Sequence, residues 1–196
     1  GSDLASQTCQ SLGFSSGTLS CSASCTFNTN SCTTGDFSQL TYNLNSGYNF
    51  ISVPFELQNN NINVLFSSIL PQISRIYTYD PTGWGIFRAN PNAPSSLTTI
   101  STLRGYIIKM KGPASVTLQG TVNNNVQKQL IQGWNLIGIT GMNTITVQSA
   151  LQNLDYDSIW KYDHINNEYT QMNASDLIQP GVGYWIYLNN PGIFNP

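Results

Sequence analysis

The chain states one pattern twice, in the same order. Gly47-Tyr48-Asn49-Phe50-Ile51-Ser52 returns as Gly133-Trp134-Asn135-Leu136-Ile137-Gly138. Ile76-Tyr77-Thr78-Tyr79-Asp80 returns as Ile159-Trp160-Lys161-Tyr162-Asp163, and Gly105-Tyr106-Ile107-Ile108 as Gly183-Tyr184-Trp185-Ile186. Even Pro113 has a counterpart in Pro191. An ordered internal repeat sets the architecture before any single residue is considered, because each copy is one supersecondary unit that buries its apolar face against its neighbours. It also lets each position be compared with its counterpart. What both copies keep is expected to serve architecture; what one copy alone carries is where a specific contact is to be sought.

The local patterns predict the same element order in both copies. Residues 40–44 alternate as a strand does, Asn45-Ser46-Gly47 is a turn, and 48–55 is the returning strand. Residues 63–70 read as a helix with Val64, Leu65 and Ile69 on one face, stopped by Pro71, whose ring removes a donor and clashes with the previous turn. A hairpin follows over 73–79 and 84–87 around Asp80-Pro81-Thr82-Gly83, then strands over 105–110 and 116–122. In the second copy, 127–131 and 134–139 flank Gln132-Gly133, and Thr146 caps a helix running through 154. Residues 159–162 and 168–172 form a hairpin, 175–178 at most one helical turn, and 183–188 the last strand. No counterpart of 116–120 is visible, so the second copy reads as clipped or as borrowing that strand. The expected fold class is α+β, rich in strand: two tandem β-β-α-β-β-β-like repeats, 36–121 and 122–196, packed as one unit.

Residues 3–35 stand apart. They hold all four cysteines, Cys9, Cys21, Cys25 and Cys32, among Ser, Thr, Gly and Asn, with few large apolar side chains. Such a segment cannot fold on burial alone and needs staples. An even cysteine count in a short, core-poor piece reads as two disulfides and an oxidising compartment, with three pairings open. A zinc site is the rival reading, but Cys21 and Cys25 are a loose match to zinc spacing and no CxxC is present. The pattern Cys9-Gln-Ser-Leu12-Gly13-Phe14, Gly17-Thr-Leu19-Ser-Cys21, Cys25-Thr-Phe27 and Cys32 resembles a Cys-rich module of large modular surface proteins of bacteria and archaea. The Gly-Trp/Tyr-Asn-hydrophobic-Ile motif, the Tyr-Asp turn and the Gly-Tyr-Trp/Ile-Ile strand likewise resemble a module of large cell-surface proteins. The resemblance implies an exported, extracellular setting among neighbouring modules of the same protein; it brings no catalytic residues with it. Gly1-Ser2 looks like a cloning remnant, so the expectation is an excised piece of a longer exported protein. One sequon, Asn173-Ala174-Ser175, offers a glycosylation acceptor.

Composition narrows the function classes. Only 8% of residues are charged and the net charge is −2, against the about 25% charged residues of an average domain. The scattered Lys and Arg make no basic stripe, so nucleic acid is not an expected partner. No apolar run approaches the roughly 20 residues that span a bilayer, so no membrane insertion is expected. His164 is the only histidine; it sits in a polar turn beside Asp163 and reads as solvated. No G-x-S-x-G elbow occurs. Asp80 and Asp163 are counterparts at hairpin turns, where an Asp side chain caps its own backbone. Asp155 and Asp157 offer a weak set of oxygens for Ca²⁺, without EF-hand spacing. Lys109, Lys111 and Lys161, with Asn in excess, permit an intramolecular Lys–Asn bond that nothing in the chain specifies. The matched aromatics Tyr48/Trp134 and Tyr77/Trp160, and Trp185 opposite Ile107, are expected in the core or between the copies. Trp84 has only Asn167-Glu168 in its counterpart region, so this Trp is the expected ligand contact, with Tyr79 and Arg88 as neighbours.

The function expected from these readings is non-enzymatic: a structural or adhesive module of an exported cell-surface protein, without cofactor or resident metal. The alternative is a carbohydrate-binding module that stacks sugars on exposed aromatics. A glycoside hydrolase fragment is the more distant alternative and requires two carboxylates across a cleft.

Overall fold

The computed structural model describes residues 4, 6–12, 14, 16–22, 24, 26–33, 37–90 and 92–196. In the N-terminal segment four two-residue strands, β1 (Ser16–Gly17), β2 (Ser20–Cys21), β3 (Phe27–Asn28) and β4 (Cys32–Thr33), pair as β1 with β4 and β2 with β3. A Cys9–Cys32 disulfide closes the segment, with 5.5 Å between the Cα atoms and Cys9 fully buried. One of the two expected disulfides is therefore Cys9–Cys32, and such a bond belongs to an oxidising, extracellular-type environment. Cys25 lies outside the described residues.

The first half comprises β5 (Phe37–Leu44), β6 (Gly47–Ser52), β7 (Glu56–Leu57), α1 (Ile62–Leu65), β8 (Ile73–Asp80), β9 (Gly83–Arg88), β10 (Gly105–Met110) and β11 (Ala114–Thr121). The second comprises β12 (Lys128–Leu130), β13 (Gly133–Ile137), β14 (Ile145–Thr146), α2 (Val147–Ala150), β15 (Tyr156–Asp163), β16 (Glu168–Gln171), β17 (Leu177–Ile178), β18 (Tyr184–Leu188) and β19 (Gly192–Phe194). Each half is built on a four-stranded antiparallel sheet, ordered β6-β10-β8-β9 in the first and β13-β18-β15-β16 in the second. The strands that recur in sequence thus take equivalent places. The pair β5–β11, extended by β7, corresponds to β12–β19.

The α+β expectation is corrected: the protein is β-rich, and its helices are single turns. Asn61 caps α1 by accepting from Asn63 N, and Thr146 caps α2 by accepting from Ser149 N, but both helices end after four residues. A first turn fixes several dihedrals for one hydrogen bond, and an apolar stripe shorter than two turns gives too little packing to extend it. Pro71 then sits in a 3₁₀ turn, Leu70–Gln72. Residues 177–178, expected in a helical turn, form β17 against β14. The strand that looked missing from the second half is β19, paired with β12.

The shared motifs have a shared physical task. Asn49 and Asn135 are buried, and each clasps the turn that precedes it. Asn49 Oδ1 accepts from Asn45 N (2.9 Å) and its Nδ2 donates to Asn45 O (2.8 Å) and Gly47 O (3.4 Å). Asn135 makes the same bonds with Ile131 N (3.1 Å), Ile131 O (2.8 Å) and Gly133 O (3.0 Å). Gly47 and Gly133 have φ of 91° and 87°, a region that side chains disfavour. The buried tyrosines of the two Gly-Tyr pairs act alike: Ser101 N donates to Tyr106 Oη (2.8 Å) and Gln179 N to Tyr184 Oη (2.9 Å).

Each four-stranded sheet has one face in a core. In the first half Ile73, Ile76, Phe87, Tyr106 and Ile108 pack with Tyr42, Leu44, Val116, Leu118, Ile62 and Phe66. In the second, Ile137, Ile159, Tyr184 and Ile186 pack with Leu130, Val147, Leu151, Ile178 and Phe194. The halves meet at a seam built from equivalent positions. Ile51 bridges Val182, and Ile137 bridges Arg104, so each half offers the same two places to the other. That exchange is the pattern of an isologous contact. Ser52 donates through N to Gly181 O (2.9 Å) and through Oγ to Val182 O (2.9 Å). Its sequence counterpart is Gly138, where a Cβ would overlap the Ser52 side chain. The one position at which the paired motifs trade Ser for Gly is thus the place where they touch. Arg104 Nη2 also reaches Asp80 Oδ2 at 3.1 Å.

Candidate functional site

Strand alternation sends one residue in two to the face away from each core, and on both sheets that face is aromatic. On β8, Ile76 and Thr78 are buried while Tyr77 and Tyr79 point outward; on β15, Ile159 is buried while Trp160 and Tyr162 point outward. Directly paired residues of an antiparallel sheet share a face. The outer face of the first sheet therefore carries the rows Phe50–Ile107–Tyr77–Ile86 and Tyr79–Trp84. The second carries Trp134–Tyr187, Leu136–Trp185–Trp160–Gln171 and Tyr162–Tyr169.

These two faces converge. Phe50 lies 4.6 Å from Tyr162 and 5.8 Å from Tyr169 between ring centroids, while Trp185 lies 5.8 Å from Tyr79 and 5.9 Å from Trp84. Most of these pairs are tilted or edge-to-face, the arrangement that ring quadrupoles favour. Between the faces a cavity of about 540 Å³ is lined by Tyr79, Trp84, Trp134, Trp160, Tyr169 and Trp185. A neighbouring cavity of about 410 Å³ is lined by Tyr48, Phe50, Tyr77, Trp84, Ile86, Ile107, Tyr162 and Tyr169. Trp84 and Tyr169 line both, so the two make one trough. The chain has four tryptophans, and all four line the larger cavity. Trp84 is 52% exposed and Trp134 43%.

The polar atoms of the trough are few. Tyr162 donates to Asn167 Oδ1 (2.5 Å). Burial pushes the Tyr162 and Tyr169 phenols upward, so both stay neutral. Trp160 Nε1 is buried without an acceptor, an arrangement that costs about 1–3 kcal/mol. Among the described residues, neither cavity is lined by Asp, Glu, His, Cys or Ser. The surface is dominated by flat aromatic faces, with the phenols of Tyr48, Tyr77, Tyr79, Tyr162 and Tyr169 among its lining.

The residues singled out in the sequence fall in different places. Trp84 and Tyr79 are paired on the hairpin, 5.2 Å apart, and both line the trough. Arg88 stands at the other end of β9; its Nη1 donates to Pro94 O (2.7 Å) and it lines neither cavity. Of the aromatics expected in the core or between the copies, Trp134 and Tyr48 are exposed, while Trp160 and Trp185 are half-buried trough walls, Trp185 packing across the halves on Tyr79 and Trp84. Comparison between copies does not separate core from trough wall, because both copies use the same outward positions for the walls. The signal that finds them is phase: they alternate with the buried Ile76, Ile159 and Ile186.

The titratable candidates serve turns and seams. Asp80 Oδ1 accepts from Thr82 N (2.9 Å) and Thr82 Oγ1 (2.6 Å). Burial works against its charged form, but these bonds and Arg104 outweigh it and hold the carboxyl below its ordinary range. Asp163 accepts from Ile165 N and Asn166, which lower its carboxyl likewise. Asp155, offered as a Ca²⁺ ligand, has both oxygens engaged, by Asn189 Nδ2 (2.9 Å) and Asn190 Nδ2 (2.6 Å). Asp157 and His164 are exposed. No three His, Cys, Asp or Glu side chains come together as a metal site among the described residues. Asn173 is exposed, with its backbone N–H on Asp176 Oδ2 (2.7 Å). No helix among the described residues is long and apolar enough to cross a membrane.

Comparison with protein-family models, with curated proteins and with solved structures returns no match.

Proposed function

We propose that this protein is a non-enzymatic binding module of an exported cell-surface protein and that it holds a polysaccharide chain in the aromatic trough between its two sheets. The observation that carries the reading is the gathering of all four tryptophans around one open cavity. A protein gains more stability by burying indoles in its core than by leaving Trp84 and Trp134 about half in water. Large apolar surface held open in this way marks a binding site. Sugar rings present flat C–H faces that stack on such walls, and an elongated trough suits a chain more than a compact ligand.

Two further features support the reading. The chain has only 8% charged residues and a net charge of −2, so it lacks the broad basic surface of a nucleic-acid binder. The Cys9–Cys32 disulfide fits an exported setting in which glycans are the prevalent polymers. In this account the two halves descend from one duplicated unit. Duplication explains why each supplies an aromatic wall and why the trough lies where equivalent faces meet.

The test is co-sedimentation or affinity electrophoresis against a panel of plant, fungal and bacterial polysaccharides. At least one should retain the protein, and Trp84→Ala should weaken that binding roughly 30-fold, the loss of about 2 kcal/mol typical of a central aromatic contact. Binding that is unchanged in Trp84→Ala and Trp134→Ala would remove the trough from the account. Retention by no polysaccharide would remove the glycan.

A further inference from the structure

We infer that the polysaccharide is acidic and that its carboxylates or sulfates are read by a cationic row at one end of the trough. The inference rests on the binding function proposed above and names its ligand class. Register alignment across all four strands of the first sheet brings Tyr48, Lys109, Arg75 and Arg88 into one row: Tyr48 pairs with Lys109, Lys109 with Arg75, and Arg75 with Arg88. Paired residues share a face, so all four stand on the aromatic side of the sheet. The row lies two residues along each strand from Phe50–Ile107–Tyr77–Ile86, the floor of the smaller cavity, a step of about 7 Å. Tyr79–Trp84 lies two residues further on in the same direction, so a linear ligand crosses the three rows in turn.

Three of the chain's seven Lys and Arg residues occupy this one row. Like charges set directly opposite one another on adjacent strands destabilise a sheet. Among the described residues none of the three forms an ion pair; the one salt bridge is Asp80–Arg104. Their heads are instead arranged at the trough's rim. Lys109 Nζ sits over the Tyr48 ring, 5.2 Å from its centroid, and Arg75 Nη1 donates to Tyr77 Oη at 3.4 Å. Tyr48 and Tyr77 both line the smaller cavity. Arg88 is held by Pro94 O with other guanidinium donors left over. A sheet that concentrates cations beside stacking rings, in a chain with little charge elsewhere, complements a polymer carrying sugar faces and anions together. Guanidinium in particular matches a carboxylate or sulfate with two parallel bonds.

The experiment compares polygalacturonate, alginate and hyaluronan with the carboxyl-reduced form of each, which keeps backbone and linkage and loses the charge. Sulfated glucan against unmodified glucan distinguishes sulfate from carboxylate. At least one acidic polymer should bind about tenfold or more tightly than its neutral form, as a charge-assisted contact implies, and the advantage should shrink as NaCl rises. Arg75→Gln with Lys109→Gln should abolish the preference while leaving binding of the neutral form and its dependence on Trp84 intact. The same double variant should melt no lower than the parent, since it relieves a like-charge contact. Equal binding of acidic and neutral forms would overturn the inference and leave the glycan function standing. Binding of neither form would overturn both.

Discussion

Replacing Asn135 by Ala removes the clasp that holds the Gly133 turn, and its cost can be worked from the structure. Asn135 is 1% exposed and makes three hydrogen bonds, one accepted from Ile131 N and two donated to Ile131 O and Gly133 O. A buried hydrogen bond contributes about 1 kcal/mol net, more when its partner is left without water. Ile131 and Gly133 are only half-buried, so solvent recovers part of the loss. The expected cost is about 3 kcal/mol, or a fall in Tm of roughly 6–12 °C for a chain of this size. Asn49→Ala should cost less, about 2 kcal/mol, because its Gly47 bond is longer, at 3.4 Å, and the residue is 7% exposed. Asn135→Asp should not rescue: a carboxylate still accepts from Ile131 N but faces two carbonyl oxygens it cannot donate to. Urea denaturation followed by near-UV circular dichroism measures all three, with an unchanged m-value marking a pure stability effect. A loss under about 1 kcal/mol for Asn135→Ala, or a larger loss for Asn49→Ala, would refute the claim that this residue fixes the turn.

Two further outcomes follow from charge and cross-linking. Burial lowers the Lys128 ammonium to about 8, with Arg104 acting in the same direction. Below that pH Lys128 is charged in folded and unfolded chains alike and the folded state bears the cost. Between pH 8 and about 10.4, the ordinary lysine value, the unfolded chain binds more protons, so stability should rise with pH. The side chain keeps part of its surface in solvent, so the gain is at most about 3 kcal/mol. Tyr42, raised by burial, acts oppositely above pH 10, where only the unfolded chain ionises it. Denaturant melts should therefore show a maximum near pH 10, and Lys128→Met should flatten the rise leading to it; a fall from pH 8 to 10 in the parent contradicts the assignment. Reducing Cys9–Cys32 releases a loop with a sequence separation of 23, worth about 3 kcal/mol of chain entropy. Neither core contains a cysteine, so hydrogen exchange should rise in the N-terminal segment and stay level in β5–β19. Cooperative unfolding of the whole chain on reduction would contradict that separation.

Much of the strand layout was legible in the sequence because period-two alternation and Gly turns are local signals. The hairpins 73–79/84–87 and 159–162/168–172 match β8–β9 and β15–β16 closely. Helix length was not legible: Val64, Leu65 and Ile69 imitate a helical stripe, yet Val64 is exposed and the helix stops at Leu65. Strand β19 was missed because Gly192-Ile193-Phe194 is too short to register without its partner Lys128–Leu130. The trough itself was half visible. Trp84 stands out as unmatched and the between-copies expectation fits Trp185, which packs on Tyr79 and Trp84, but the exposure of Trp134 does not follow from the repeat. Which face of a sheet meets solvent depends on how two sheets are placed in space, and no repeat comparison within the chain carries that information. Arg88 was grouped with Trp84 by closeness in sequence, whereas strand geometry sets it at the opposite end of β9.

The central claim is that the trough takes a polysaccharide, and intrinsic tryptophan emission tests it most directly, because every tryptophan in the chain lines that trough. Titration with a retained polysaccharide should shift the emission to shorter wavelength and saturate, and Trp84→Ala should move the midpoint to roughly 30-fold higher concentration. Saturable binding, verified by calorimetry, that leaves the emission of all four indoles unchanged would place the ligand elsewhere and contradict the account.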